Sequence, residues 1–329
     1  MFKNKNLLIT GGTGSLGRAL TKEIFKRHND IGKLIVFSRD EQKHFQMREE
    51  FPAEEFPKLK FVLGDVRDYE SIKSACKEVD YIIHAAAMKH VHLSEMNPDE
   101  CIKTNVIGAQ NIIKAANSTN TMSSVVALST DKACAPVNLY GATKLTSDKL
   151  FIAANNNSNT CYSVVRYGNV MSSNGSVIPF FLNRKKQGTL PITDPEMTRF
   201  NITLGEGVNL VLYALQNASG GELFVPKIPS YNIMDLAKAV DSECSTKIIG
   251  IRPGEKVHEE MISSSDSYNT YDIGKYYVIL PTIVNWNLNE FLEKFKAKKV
   301  PVGFNYNSKE NKEFLSVEKL KKLIYSNQK

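Results

Sequence analysis

The 329-residue chain predicts an α/β protein: a doubly wound parallel sheet with a smaller α/β domain in the C-terminal half. Three observations carry that expectation. Short apolar runs rich in β-branched residues alternate with helical spacing as far as Val170. The first of these runs ends in a glycine-rich turn that opens a helix. After Asn169 the texture changes to mixed short segments, without repeats or a low-complexity linker. The expected division is 1–170 for the sheet domain and 171–329 for the second, some of whose segments return to the sheet.

The elements follow in order. Residues 7–10 read as the first strand and run into Gly11-Gly12-Thr13-Gly14-Ser15-Leu16-Gly17, then a helix to about Arg27. Glycines at 11, 14 and 17 let the backbone turn sharply and approach a pyrophosphate, whose charge rests against the helix N-terminus. Gly11, Thr13, Gly14, Ser15, Leu16 and Gly17 are therefore expected against a dinucleotide, the Rossmann arrangement. Residues 34–37 form the second strand, and its end selects the dinucleotide. An acidic residue there would accept the ribose hydroxyls of NAD. This chain has Ser38-Arg39, with Asp40 displaced and Lys43 close behind. Arg39 and Lys43 suit a 2′-phosphate, so NADP is the expected cofactor; the competing reading has Arg39 in solvent or stacked on adenine and Asp40 turned inward.

Residues 61–63 form a third strand leading to Asp65 and Val66, where Asp65 either accepts from the adenine amino group or caps a solvated turn. A fourth strand, 81–84, precedes Ala85-Ala86-Ala87-Met88-Lys89-His90, whose small residues leave room for the cofactor while Lys89 borders the cleft. Residues 101–117 have helical spacing with one inward polar residue, Asn105, whose amide either supports the active-site backbone through hydrogen bonds or caps a local kink. The apolar run 125–128 is a buried strand, so Thr130, Asp131 and Lys132 emerge at its carboxyl edge, where open α/β sheets bind ligands. A helix at 140–154 then places Tyr140 and Lys144 on one face, four residues apart. A phenol needs a nearby cation to act as a base at neutral pH. Alone, such a pair is commonly a surface contact; between a nucleotide loop and the Ser129-Thr130-Asp131-Lys132 edge it reads as an activated tyrosine. Residues 163–170 form the next strand.

The second half is expected to hold a polar loop at 171–175, a basic helix at 178–187, strands at 190–194 and 222–225, and helices at 208–216 and 233–240. A strand at 247–251 leads to the charged turn Arg252-Pro253-Gly254-Glu255-Lys256, and a Lys-rich helix closes the tail at 317–325. Arg199 and Arg252 have the forked guanidinium that grips a diphosphate, with solvent exposure as the alternative.

Composition narrows the function further. Lys and Arg number 42 against 35 Asp and Glu, a net charge of +7. The cations are dispersed and lack the interleaved aromatics of a nucleic-acid face, so an anionic, phosphate-bearing small substrate is expected and no nucleic acid. Five cysteines without a C-x-x-C pair point to a reducing compartment. With no cleavable signal pattern and no stretch able to cross a bilayer, the expected location is cytoplasmic, with no membrane partner. His90 and His92 without a third ligand imply no metal.

The set Thr-Gly-Gly-Thr-Gly-x-x-Gly, Ser-Thr-Asp-Lys, Tyr140-x-x-x-Lys144 and Arg-Pro-Gly-Glu-Lys resembles the extended short-chain dehydrogenase/reductases. More narrowly, it is similar to the inverting, 5-epimerising UDP-N-acetylglucosamine 4,6-dehydratases that open the pseudaminic acid pathway. Retaining dehydratases of the wider family carry Thr-Asp-Glu where this chain has Thr130-Asp131-Lys132. A related group of capsule enzymes has methionine at the place of Tyr140. The resemblance implies UDP-N-acetylglucosamine as substrate and a homo-oligomer.

It also implies roles. Tyr140 takes the 4-hydroxyl proton while hydride leaves carbon 4. Lys144 keeps the tyrosine ionised and contacts the nicotinamide ribose. Thr130 hydrogen-bonds the 4-oxygen. Lys132, with a pKa depressed by desolvation beside Lys144, removes the carbon-5 proton, and Asp131 protonates the departing 6-hydroxyl. Hydride then returns to carbon 6, and carbon 5 is reprotonated from the opposite face. Lys89, Asn105, Asn169, Thr193, Arg199, Arg252 and Glu255 are the expected substrate contacts. A sugar-nucleotide 4-epimerase would use Tyr140 and Lys144 without Asp131-Lys132; a non-catalytic NADP-sensing protein would use neither pair.

Overall fold

A computed structural model describes residues 1–171 and 176–326. Six parallel strands form the expected doubly wound core: β1 (Asn6–Thr10), β2 (Lys33–Ser38), β3 (Leu59–Leu63), β4 (Tyr81–His84), β5 (Ser124–Thr130) and β6 (Cys161–Tyr167). They lie in the order 6-5-4-1-2-3. The chain therefore reverses direction across the sheet between β1 and β4, which opens a crevice at the carboxyl ends of those two strands. Every residue of β5 is buried, as a central strand covered on both faces requires.

Beyond β6 the sheet continues with Leu223–Pro226, which pairs parallel to β6. Tyr276–Ile279, Thr270–Asp272 and Lys298–Lys299 then extend it antiparallel to a total of ten strands. A second, smaller core joins the helices Ile233–Val240 and Val317–Ser326, in which Leu236, Leu320 and Ile324 are fully buried. The Lys-rich tail helix thus has a packing role, reinforced by the Tyr325 hydroxyl donating to Val240 O at 3.1 Å.

Three expectations are corrected. The strand read over 163–170 breaks at Gly168: a Cβ there would stand 2.5 Å from Phe200 Cβ. Asn169–Val170 accordingly leaves the main sheet and pairs with Thr198–Ile202. The helix read over 101–117 is interrupted by a π turn, Lys103–Ile107, between Pro98–Ile102 and Gly108–Asn117. The strand read over 247–251 runs from Ser245 to Ile248 and pairs parallel with Thr189–Ile192. Of the polar loop expected at 171–175, residues 172–175 lie outside the described residues.

Candidate active site

The glycine turn forms a tight cradle. Gly11 has φ +64°, and a Cβ on it would meet the backbone of Ala86 at 2.8 Å; one on Gly17 would meet Gly12 O at 2.2 Å. The backbone of Ala85 and Ala86, after β4, can approach this closely because Gly11 has no Cβ. Thr10 ties the two strand ends together, its hydroxyl accepting from Ala86 N at 3.3 Å and pairing with His84 Nδ1 at 2.8 Å. Gly14 is the N-cap of the helix Ser15–Arg27, so Ser15 and Leu16 stand on its first turn. The unsatisfied N–H groups at the start of this helix suit a pyrophosphate.

At the end of β2, Thr13, Ser38 and His44 form a hydrogen-bonded chain with spacings of 2.9 and 3.0 Å. Asp40 faces outward: its carboxylate caps the helix Glu41–Glu50 through Lys43 N at 3.0 Å and pairs with Lys43 Nζ at 2.7 Å. Asp65 accepts from Arg67 N at 3.0 Å and Arg67 Nε at 2.9 Å, and lies 3.6 Å from Arg39. Both carboxylates near the strand end thus have cation partners. A third cation that sequence reasoning missed, Arg18, donates to Lys43 O at 3.3 Å. Val66 packs beneath, 2.9 Å from where a Cβ on Gly108 would stand.

The edge of β5 turns directly into a 3-10 turn, Asp131–Ala133. The helix Leu139–Ala154 leans on it at Gly141, where a Cβ would sit 2.1 Å from Lys132 O. No larger residue permits Tyr140 to lie this close to the Thr130-Asp131-Lys132 segment. Thr130 Oγ1 donates to Asp131 Oδ1 at 3.0 Å. Lys132 Nζ lies 3.1 Å from Asp131 Oδ1 and 3.2 Å from Glu259 Oε1, and Arg199 Nε stands 3.7 Å from the same Glu259 oxygen.

Two carboxylates that bury their charge surround one amine, and this overturns the expectation for Lys132. Burial alone would depress its pKa, but the charges of Asp131 and Glu259 outweigh burial and hold it above the ordinary lysine value. Its expected cationic neighbour Lys144 is instead the lysine whose ammonium burial disfavours, offset in part by Asp148. Asp131 is pushed upward by burial and by Glu259, against the pull of Lys132.

Tyr140 departs from expectation too. Burial raises its phenol to about 12, opposed by Lys132 and by a hydrogen bond with Thr130. In the free protein the cation that most favours the phenolate is therefore Lys132, from the segment below, rather than Lys144 one turn along. Behind Lys144 lie two groups missed in the sequence. Asp148, one turn further, accepts from Ser129 Oγ at 2.6 Å and Arg166 Nη2 at 3.3 Å. His84 is kept neutral, lowered to about 3 by burial and by Lys144. The i,i+4 spacing of Lys144 and Asp148 was the available signal for the first of these.

The expected substrate residues divide. Asn105, on the π turn, is buried and committed to the scaffold: it accepts from Met88 N at 2.8 Å and donates to Met88 O and Thr143 Oγ1 at 3.0 Å. It braces the backbone beside Lys89 and is not free to meet a sugar. Arg199 is likewise withdrawn from the expected diphosphate grip, because its guanidinium donates to Thr198 O, Val257 O and Lys256 O at 2.7 to 2.9 Å. Arg252 remains available, with 60% of its side chain exposed and only Glu255 at 3.7 Å. Its turn docks on the Tyr140 helix: the N-cap Asn138 donates to Gly254 O at 2.7 Å, and Lys256 Nζ donates to Cys134 O at 2.8 Å. Asn169 interacts with the buried Tyr231, Thr193 follows Thr189–Ile192, and Lys89 is exposed after β4. Among the described residues no cluster of three or more His, Cys, Asp and Glu side chains could hold a metal ion, and no helix is long and apolar enough to cross a membrane.

The glycine cradle opens on the crevice of a doubly wound sheet, and Tyr140 and Lys144 stand on the helix packed beside the edge of β5. The profile of the family described as "Polysaccharide biosynthesis protein" matches residues 7–281, and the chain belongs to that family. It is 51% identical over 335 residues to the UDP-N-acetylglucosamine 4,6-dehydratase (inverting) of Campylobacter jejuni, covering 98% of each chain. It is also 44% identical over 334 residues to the UDP-glucose 4-epimerase of Rickettsia akari, covering 98% of this chain and 96% of that one. Pen from Bacillus thuringiensis has the same fold with a TM-score of 0.89 at 36% identity, over 100% of this chain and 99% of that one. DesIV, a dTDP-glucose 4,6-dehydratase from Streptomyces venezuelae, shares the fold at a TM-score of 0.68 and 23% identity, over 77% and 86%.

Proposed function

We propose that this protein is an inverting UDP-N-acetylglucosamine 4,6-dehydratase. It epimerises carbon 5, uses NADP, and forms UDP-2-acetamido-2,6-dideoxy-β-L-arabino-hex-4-ulose. The reading includes a cytoplasmic homo-oligomer acting at the first step of pseudaminic acid biosynthesis. The observation that carries it is the Asp131–Lys132 contact of 3.1 Å at the edge of β5, next to Tyr140, in a chain half identical to a protein of that name. NADP is favoured by Arg18, Arg39 and Lys43 around the end of β2, where both carboxylates already face cations.

The bound nicotinamide supplies reversible hydride acceptance. The chain supplies the rest. The cradle at Gly11, Thr13, Gly14, Ser15, Leu16 and Gly17 would hold the pyrophosphate, Ser38, Arg39 and Lys43 would meet the 2′-phosphate, with Asp40 withdrawn to cap its own helix, and Asp65, Val66, Ala85, Ala86 and Lys89 would hold the remainder. Tyr140 removes the 4-hydroxyl proton, helped by Thr130 and by the cations on either side. A ketone at carbon 4 then acidifies the carbon-5 proton. Lys132 must be a neutral amine to take that proton, and its resting proton has an acceptor in contact. Transfer from Lys132 Nζ to Asp131 Oδ1 converts ammonium and carboxylate into amine and carboxylic acid. The amine takes the proton from carbon 5, the acid protonates the departing 6-hydroxyl so that water leaves, and the original charges return. The hydride taken from carbon 4 is then delivered to carbon 6, and carbon 5 is reprotonated from the opposite face. Arg252 and Glu255 reach the nucleotide, with Lys89, Asn169 and Thr193 along the cleft.

The 44% identity to a named UDP-glucose 4-epimerase favours one second reading, oxidation and re-reduction at carbon 4 alone. Incubation with UDP-N-acetylglucosamine separates the two. The dehydratase gives a new methyl doublet in the proton spectrum; a product that keeps its 6-hydroxyl and changes only at carbon 4 is the epimerase result.

A further inference from the structure

The proton exchange between Lys132 and Asp131 leaves unexplained the third member of their cluster. Glu259 is 2% exposed, and nothing in the reaction needs a second carboxylate. Its placement is nonetheless tightly fixed. Its backbone N–H donates to Ser308 Oγ at 2.9 Å and its carbonyl accepts from Ser308 N at 2.8 Å. The guanidinium beside it, Arg199, is itself held by three carbonyls. A purely structural ion pair with Arg199 would not require the 3.2 Å approach of Glu259 to Lys132.

We propose that Glu259 is the positioning residue that assigns roles within the Asp131–Lys132 pair: its carboxylate, anchored by Arg199, holds Lys132 Nζ against Asp131 and directs the shared proton onto Asp131 rather than onto itself. The asymmetry is one of charge. Glu259 is faced by three cations, Lys132, Arg199 and Lys256. Asp131 is faced by Lys132 alone among cations, and by the negative charge of Glu259, with Tyr140 and Tyr231 as its other titratable neighbours. Asp131, 0% exposed, meets Lys132 at 3.1 Å, whereas Glu259 meets both Lys132 at 3.2 Å and Arg199 at 3.7 Å; each carboxylate keeps one oxygen without a partner among the described residues, so the difference between them lies in the cations they face. Glu259 therefore stays ionised and Asp131 becomes the acid. A proton placed on Glu259 instead would leave Asp131 ionised and unable to protonate a leaving hydroxyl.

The inference rests on the dehydratase reading for its chemistry, but the order of proton affinities is measurable without turnover. In the full-length protein with UDP-N-acetylglucosamine, Glu259→Gln keeps the acceptor and removes the charge. The expected result is a kcat lower by about 100-fold, a KM changed less than about twofold, and an alkaline limb of the kcat profile moved to lower pH, because Asp131 then releases its proton more easily. Glu259→Asp should restore part of the rate. A profile whose limbs do not move, or a loss seen equally in KM and kcat, overturns the proposal. Should Glu259→Gln not fold, carbon-detected titration of side-chain carboxyls in the wild-type protein decides: Asp131 holding its proton to higher pH than Glu259 supports the assignment, and the opposite order refutes it. A wild-type protein that yields no 4-keto-6-deoxy sugar sinks the dehydratase reading and leaves the carboxyl order to be judged on its own.

Discussion

Replacing Lys132 by methionine keeps the length of the stem and, among the described residues, removes the one cation paired with Asp131. In the wild type the ammonium sits 3.1 and 3.2 Å from two carboxylates that are almost wholly buried. Removing one partner of a buried pair costs about 3–5 kcal/mol. The lower end applies, since 22% of the lysine side chain is exposed and Arg199 still faces Glu259. At roughly 2 cal/mol/K per residue, a chain of 329 residues converts about 3 kcal/mol into a Tm lower by about 4 °C. The deficit depends on pH. Without its cation, Asp131 binds a proton more tightly in the folded than in the unfolded state. Stability is then lost as pH rises from about 4, the ordinary carboxyl value, toward the raised folded value. Thermal melts of both proteins from pH 5 to pH 8 should show the gap widening with pH. In parallel, exchange of solvent deuterium into carbon 5 of the sugar, followed by proton NMR, should fall by roughly 10²–10⁴-fold. A Tm gap that is flat with pH together with wild-type exchange would refute the reasoning on both counts.

Three further changes separate scaffold from chemistry. Gly141→Ala places a Cβ 2.1 Å from Lys132 O; overpacking of this kind should cost about 1–3 kcal/mol in denaturant unfolding, and turnover should fall more than stability does because Tyr140 is displaced. Arg39→Ala should weaken NADP by roughly tenfold while leaving NAD almost unchanged, as calorimetric titration with each dinucleotide would report; equal loss for both would remove Arg39 from the 2′-phosphate. Arg252→Ala should raise the KM for the UDP-sugar by roughly tenfold at constant Tm, whereas Arg199→Ala should lower Tm by several degrees, since its guanidinium bonds three backbone carbonyls.

Much of this molecule can be read from local pattern, and the rest depends on long-range contacts. The six parallel strands are legible because each is a short apolar run between helices. Tyr276–Ile279 and Thr270–Asp272 are not, being three or four residues long and lacking a clear period. The π turn at Lys103–Ile107 is invisible to helical spacing, although the inward position of Asn105, which it carries, is legible there. Within the site, the identities of Thr130, Asp131, Lys132, Tyr140 and Lys144 follow from spacing and from their place after a strand. Their protonation does not. Lys132 is an amine at a position suited to a base, but its affinity for a proton is set by burial, by Asp131 beside it and by Glu259, 127 residues further along the chain and 3.2 Å away. Arg199 fails in the same way: a forked cation suits phosphate, and only the fold reveals that carbonyls 57 and 58 residues distant have already taken its donors. Residue type and spacing indicate which chemistry a side chain is able to perform; partners brought in by the fold decide in which charge state it waits.

The central claim is that an amine at Lys132 takes the proton from carbon 5 while an acid at Asp131 protonates the departing 6-hydroxyl. It is tested most directly by running the reaction with UDP-N-acetylglucosamine in D₂O and assigning the product by proton and carbon NMR. The account requires a 4-keto-6-deoxy sugar carrying one deuterium at carbon 5 in the inverted L-arabino configuration. A product with carbon 5 unlabelled, or with its original configuration, contradicts it.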